Sequence, residues 1–224
     1  IPEIRRTWER YNTHFLGVSG VDTYHLMTKF PVNSLDDLRG RKILAPGSSA
    51  IWLKGTGAIA VDGALSTYYT QLKTGVADGT LSILTGVYPF RIHELTPYIT
   101  FVGIGAQCVG GLTVNLDVWR RLPQEAREIL TALGGEYTER AAAEVMRKYD
   151  EAYEGLLSDG AVFSILPLAE KQRGKDGLPD LGREWVLRNE AKGLPAGAVL
   201  RGLMDGLRAA GVVPDKQWDR TIDR

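Results

Sequence analysis

Two short apolar runs, each feeding a loop of small residues and then a stretch with helical spacing, fall between residues 35 and 82, and they leave few folds open. Arg41-Lys42-Ile43-Leu44-Ala45 reads as a brief strand closed by Pro46-Gly47, and Ser48 or Ser49 can cap a helix that begins at Ala50. The free N–H groups and positive dipole end of such a helix suit an anionic or hydroxyl-bearing ligand. The second unit starts with Ile59-Ala60-Val61, turns at Asp62-Gly63 and re-enters a helix capped at Ser66, with Tyr68, Tyr69, Leu72 and Val76 at helical spacing. Gly75 or Gly79 stops it, and a third extended run, Leu81-Ser82-Ile83-Leu84, follows at once. The order β-α-β-α-β implies a parallel sheet with ligands at the strand ends.

Composition removes several classes of function. Lys plus Arg equals Asp plus Glu, 27 each, so net charge gives no push toward nucleic acid or an anionic membrane. One cysteine, Cys108, excludes an internal disulfide framework and a multi-cysteine metal site. No apolar run approaches the ~20 residues that span a bilayer, so the chain reads as soluble. A mix of 44% apolar and 24% charged residues in 224 is enough for one large or two small domains. No cofactor or metal site is expected.

Several motifs in register resemble one family. The string Phe30-Pro31-Val32-x-Ser34-Leu35-x-Asp37-Leu38-x-Gly40-x-Lys42-Ile43, followed by Tyr69-x-x-Leu72-Lys73-Thr74-Gly75-Val76-x-Asp78-Gly79, is similar to the substrate-binding proteins of TRAP transporters. Glu94-Leu95-x-Pro97-Tyr98, Val114-Asn115-x-Asp117-x-Trp119-x-x-Leu122-Pro123, and the ending Ala209-Ala210-Gly211-Val212-x-Pro214-x-x-x-Trp218-Asp219 fit in the same order, so the match runs from about Tyr24 to the C-terminus. Two positions depart from the pattern. The family places an arginine that clamps a substrate carboxylate where this chain has Leu44, and an asparagine-bearing Asp-Gly-Gln-Glu-Asn where it has Asp78-Gly79-Thr80-Leu81-Ser82. Loss of the arginine leaves the ligand open, and Trp52 offers a stacking or apolar wall instead.

The resemblance implies an α/β periplasmic-binding-protein fold, class II-like, of two lobes with a long helix spanning both. It places residues 1–106 in the second lobe with an incoming segment from the first. Residues 107–158 become a hinge crossing, a first-lobe strand and the spanning helix, and 159–224 a strand and helices that pack on the lobes. The implied task is capture of a small organic solute in the periplasm and its delivery to TRAP membrane permease subunits, with no chemistry on the solute. The expected ligand contacts are Gly47, Ser48, Ser49 and Trp52 in the first loop, Leu65 and Tyr69 as walls, Thr80 and Ser82, and Gln107 beside the cleft. A sensor-input domain of the same fold is the alternative among binding modules.

The chain opens Ile1-Pro2-Glu3-Ile4 inside a helical pattern (Ile4, Trp8, Tyr11, Phe15), as an internal fragment would, and the resemblance implies that a signal peptide and most of the first lobe precede it. Val21 to Met27 alternates as a strand. His25 within it has no second histidine or acid at ligand spacing, so the commoner reading is a hydrogen-bonded strand residue, and the same holds for His14 and His93. Tyr88 to Leu95 is expected to be a redirecting helix, and Tyr98 to Val102 a strand. Gly103 to Gly111 lacks the dinucleotide and phosphate-loop patterns, and a strand, Leu112 to Asn115, follows it; glycines here suit a hinge between lobes. An enzyme using Cys108 would need a base and an oxyanion site, and no local signature supports one; a small buried apolar residue is the simpler reading. The longest helical pattern, Pro123 to Ser158, carries Ala126, Ile129, Leu130, Leu133, Tyr137, Val145, Tyr149, Tyr153, Leu156 and Leu157 on one face. It would reach about 54 Å if Gly134-Gly135 does not bend it. Beyond it come a strand (160–166), a charged solvated run (170–176), two amphipathic helices (181–192 and 198–210) and a tail anchored by Trp218.

Overall fold

The computed structural model describes residues 1–214 and 216–222. In chain order the elements are α1 (Pro2–Arg10), β1 (Thr13–Gly20), β2 (Tyr24–Thr28), β3 (Lys42–Leu44), β4 (Ile59–Val61), α2 (Leu65–Lys73), β5 (Gly79–Ile83) and α3 (Leu84–Val87). They continue with β6 (Tyr98–Phe101), β7 (Val109–Asn115), α4 (Leu116–Arg121), α5 (Gln124–Ser158), β8 (Val162–Ile165), α6 (Leu168–Asp176), α7 (Leu181–Glu190) and α8 (Ala196–Ala209). Short 3-10 helices lie at Leu35–Leu38, Gly47–Leu53, Ile92–Glu94 and Trp218–Arg220. The chain divides into two compact units: Ile1–Gly17 with Gly111–Gly135 and Pro179–Arg224, and Val18–Gly110 with Glu136–Leu178.

The larger unit is built on a six-stranded sheet of order β4-β3-β5-β2-β6-β8. β3 pairs parallel with β4 and β5, and β6 parallel with β8, as the repeated strand-loop-helix pattern requires. The sheet is mixed, though, not wholly parallel. β2 lies between β5 and β6 and runs antiparallel to both, with His25 opposite Ser82 and Met27 opposite Thr80 and Ile99. All five residues of β2 are buried, among them two polar side chains, His25 and Thr28, the latter donating to the Phe30 carbonyl.

Each face of the sheet has its own core. Met27, Leu44, Tyr68, Leu72, Leu84, Ile99 and Leu156 pack on one side, where α2, α3 and the C-terminal half of α5 supply apolar side chains. Leu26, Val32, Leu38, Ile43, Leu53 and Leu81 form the other, and Trp52 packs against that cluster. Two ties hold α2 to the strands. The Lys29 ammonium donates to the carbonyl of Leu72 (2.6 Å), in the last turn of α2 where the dipole favours a cation, and to that of Ala77 (2.8 Å) in the turn that follows the helix. At the other end the N-cap is Ala64 and Ser66 lies inside the helix; the Thr67 hydroxyl bonds back to Ala64 instead.

In the smaller unit, α1 ends at Arg10, because Asn12 turns the chain with a φ of 56°, and Phe15 belongs to β1, not to the helix. Asn115 caps α4 by accepting from the Asp117 and Val118 N–H groups. His14 stacks flat on Trp119, ring centroids 4.0 Å apart. α7 and α8 close over Val186, Ala196, Leu200 and Met204, and Trp218 packs on that cluster as the sequence suggests. The tail expectation also covers Asp215, Asp223 and Arg224, which lie outside the described residues.

α5 runs unbroken for 35 residues, about 52 Å, contributing its first turns to the smaller unit and the rest to the larger. Gly134 does not bend it. A Cβ there would stand 2.4 Å from the Leu16 carbonyl oxygen, so the glycine is required by a close backbone crossing. The stretch Tyr88 to Leu95 is not one helix: α3 ends at Val87, and Arg91, at a φ of 55°, turns the chain into the 3-10 helix at Ile92–Glu94. The charged run 170–176 belongs to helix α6, which is only partly solvated.

Candidate functional site

Strand directions define one working edge of the larger unit. β3, β4, β5, β6 and β8 all end there and β2 begins there, because β2 is antiparallel to its two neighbours. Loops at the carboxyl ends of such strands are where ligands are taken in open α/β sheets. The segment Gly47–Leu53 leaves β3 at this edge, and the 103–108 segment leaves β6 there.

Gly47, Ser48, Ser49 and Trp52 share one 3-10 helix whose cap is Pro46. The expected cap at Ser48 or Ser49 is not formed; the helix begins before them, and Ser49 is buried while Ser48 is exposed. Gly47, at a φ of 52°, makes the turn that lets the chain leave β3. Thr80 and Ser82 lie on one face of β5. The Thr80 hydroxyl is fully buried and donates to the Leu44 carbonyl (3.1 Å), a bond internal to the sheet. Leu44 itself is fully buried in the core. Leu65 packs against that core, its Cδ2 2.8 Å from where a side chain on Gly86 would begin. Tyr69 lies apart from the edge residues, its hydroxyl donating to Glu94 (3.2 Å), which Arg91 also grips.

Gln107 is the candidate with the least settled chemistry. Both polar atoms of its amide are buried and neither has a hydrogen-bond partner. The segment around it is tied to the start of β2, since the Tyr24 N–H donates to the Gly105 carbonyl (3.1 Å) and the Tyr24 hydroxyl lies 3.4 Å from Cys108 Sγ. Burial, and then the Cys108 contact, raise the Tyr24 hydroxyl above its ordinary range. Cys108 is exposed, contrary to the buried position expected from its apolar neighbours, because residues 103–108 form an irregular segment at the surface.

Three further buried polar groups of the larger unit were given no ligand role by the sequence. Asp22 is buried, and its carboxylate accepts from the Leu84 N–H (2.9 Å), the Thr85 N–H (3.3 Å) and the Thr85 hydroxyl, so it caps α3. His25 is 4% exposed, sits edge-on to Phe101 (centroids 4.5 Å) and has no hydrogen bond at either ring nitrogen, where the sequence reading expected one. Burial, reinforced by the Lys171 charge, pushes it down to about 4. The Tyr68 hydroxyl is also buried with no well-formed hydrogen bond among the described residues; burial raises it to about 12, and the neighbouring Thr80 hydroxyl acts weakly in the other direction. His14 is lowered by burial against Trp119, and His93 bonds Asp159 (3.0 Å). Among the described residues no cluster of His, Cys, Asp and Glu could hold a metal ion, and no helix is long and apolar enough to cross a membrane. A separate open groove in the smaller unit, about 500 Å³, is lined by Trp119, Gln124, Arg127, Glu128, Thr131 and Ala132.

A mixed sheet with one inserted antiparallel strand, helices on both faces and a long helix shared by two units is the architecture of the two-lobe periplasmic binding proteins. The family model for bacterial extracellular solute-binding protein, family 7 (DctP), matches residues 2–184, and the chain belongs to that family. Among solved structures, a TRAP periplasmic solute-binding protein from Desulfovibrio salexigens is 22% identical, with a TM-score of 0.79, over 95% of this chain and 69% of its own. One from a Sulfitobacter species, with bound β-D-galacturonate, is 16% identical, with a TM-score of 0.73, over 85% and 63%. A Bordetella pertussis extracytoplasmic solute receptor binding pyroglutamic acid is 19% identical, with a TM-score of 0.72, over 79% and 58%. The chain thus spans about three fifths of the length of several structures that it matches.

Proposed function

We propose that the protein carrying this chain is an extracytoplasmic solute-binding protein that captures a small organic solute in the periplasm and delivers it to a TRAP-type membrane permease. The observation that carries this reading is the working edge of the larger unit. The Gly47–Leu53 and 103–108 segments leave the sheet at this edge, and His25 and Gln107 carry buried polar atoms with no hydrogen-bond partner among the described residues. Such atoms cost about 1–3 kcal/mol each when left unmade, and sites that await a ligand are where they persist. The family and the relatives' ligands, galacturonate and pyroglutamic acid, support a small polar solute.

In this reading the larger unit is the lobe that presents the ligand edge, and the smaller unit belongs to the other lobe. Gly47, Ser48, Ser49, Trp52, Leu65, Ser82 and Gln107 face or support the solute. Thr80 and Tyr69 act at one remove, through Leu44 and Glu94. The site binds and releases; no side chain in it is arranged as a nucleophile with a base.

A thermal-shift screen of the full-length protein against organic acids, amines, polyols and aromatic solutes tests the assignment. A ligand bound only by the native state raises the melting temperature by mass action, and one chemical class is expected to do so in the micromolar range. Absence of any shift up to millimolar solute would remove the capture role.

A further inference from the structure

The sequence leaves the edge of the larger unit without an obvious cation, since β3 brings the fully buried Leu44 to the position where an arginine would be expected from the resemblance. The structure supplies one from elsewhere. The end of β8 is tied to the end of β6 by the Leu166 N–H donating to the Phe101 carbonyl (3.2 Å), and α6 begins two residues later. Its first turn therefore stands at the end of β6. Lys171, half-buried on α6, reaches Gly103, where a Cβ would lie 3.6 Å from its Nζ.

No hydrogen bond or ion pair to another described residue reaches that ammonium. The nearest acid in sequence, Glu170, is already used: it accepts from the Leu35 N–H (2.7 Å) and pairs with Arg173 (2.8 Å). His25 is packed on Phe101, the last residue of β6, and feels the Lys171 charge, and Gln107 lies four residues beyond Gly103 on the segment that the Gly105 carbonyl ties to Tyr24. Both have buried polar atoms with no partner. A partly desolvated cation, a neutral imidazole and an amide, each unsatisfied, are a poor way to end a sheet and a suitable way to receive an anion.

Resting on the solute-binding reading above, we infer that Lys171, His25 and Gln107 form the anionic pole of the ligand site, with Lys171 taking the solute carboxylate. The ammonium and the Gln107 NH2 supply donors to the two carboxylate oxygens. A neutral imidazole has one donor and one acceptor nitrogen, and the Gln107 oxygen is a second acceptor. The solute must therefore offer a hydroxyl or N–H close to its carboxylate as well. Hydroxy acids and lactam or amino acids satisfy this; simple fatty acids and uncharged sugars do not. The assignment makes Lys171 a specificity-determining residue on an element that the sequence pattern marks only as charged surface.

The test uses the full-length protein and two matched probe sets, titrated by calorimetry: pyroglutamate with 2-pyrrolidone and cyclopentanecarboxylate, and galacturonate with galactose. The wild type is expected to bind at least one of the two acids that carry a donor, and to bind its uncharged or donor-less counterpart at least 10-fold more weakly. Lys171→Met should weaken that acid by about 10-fold or more, as loss of a charge-assisted contact implies, without lowering the melting temperature of the unliganded protein. Lys171→Arg should keep most of the affinity. Tight acid binding that Lys171→Met leaves unchanged would overturn the inference while leaving solute capture intact, as would equal binding of the uncharged counterparts. If no probe binds and the broad thermal-shift screen is also silent, the capture reading falls with it; if that screen finds only uncharged ligands, the anionic pole alone is wrong.

Discussion

Asp22 and His25 stand three residues apart at the start of β2, and both are more than nine-tenths buried, yet their surroundings treat them in opposite ways. Every bond that the Asp22 carboxylate needs is made by α3, through two backbone N–H groups and the Thr85 hydroxyl. Neither nitrogen of His25 has a hydrogen-bond partner among the described residues. The same contrast extends outward: the Lys29 ammonium is held by the carbonyls of Leu72 in α2 and Ala77 just beyond it, and that of Lys171 by none among the described residues. Asp22 and Lys29 are paired within the fold, whereas the His25 ring and the Gln107 amide have no partner among the described residues. A buried group without a partner is destabilising on its own, so the pairing pattern separates residues that hold the sheet from residues held ready by it.

The sharpest way to break this comparison is Asp22→Ala. It removes three hydrogen bonds to a charged acceptor and strands the first N–H groups of α3, so chemical denaturation should show a loss of about 4 kcal/mol. A loss under about 1 kcal/mol would mean that the paired set does not hold the fold. His25 comes next, through pH. Its folded value of about 4 lies below the ordinary value of 6.5, so the unfolded chain binds the proton more readily between those limits. Stability contributed by the neutral ring is complete above about pH 6.5 and is lost as pH falls toward 4, on the order of 3 kcal/mol in all. His25→Leu should flatten this part of the pH–stability profile and leave stability at pH 7 equal or higher. An unchanged slope would place the titration elsewhere.

Lys29→Met should cost about 2 kcal/mol, because the Leu72 carbonyl in the last turn of α2 and the Ala77 carbonyl in the following turn both lose the ammonium. Amide exchange should locate that loss in the last turn of α2; exchange spread evenly over the sheet would speak against a local tie. The smallest effect belongs to Cys108→Ser, within about 0.5 kcal/mol, because the thiol is exposed and meets only the Tyr24 hydroxyl. The native thiol should react with iodoacetamide at a rate close to that of the unfolded chain, and strong protection would show that the 103–108 segment is covered.

Local signals account for what could be read without coordinates. The runs at Ile43, Ile59 and Leu81 became β3, β4 and β5: Ile43 and Leu81 are core positions beside glycine turns, while Ile59 is exposed and β4 is held at the sheet edge by its pairing with β3. The long 3.6-residue period from Gln124 onward specified α5. Position in three dimensions was less visible. Nothing near Tyr24 announces that β2 returns antiparallel between two later strands, and strand pairing over fifty or more residues leaves no local mark. The apparent cap at Ser66 failed because Thr67 reaches back to Ala64 first. Among the proposed site residues, the Gly47–Trp52 loop was marked in the sequence by its small residues. Lys171 was not, since it differs from the other charges of its run only in what α6 is anchored beside, and that depends on the Leu166 to Phe101 bond.

The unbroken run of α5 also bears on how the protein opens. Its N-terminal turns belong to one unit and its remaining turns to the other, so a single helix is subject to two local stabilities. Transient unfolding of the smaller unit need not melt the rod as a whole; it can fray inward from Gln124 and halt near Gly135, where the side chains of the larger unit take over. Residue-resolved deuterium uptake along α5 would then show a step, and its position would map the cooperative boundary between the units more finely than any proteolytic cut.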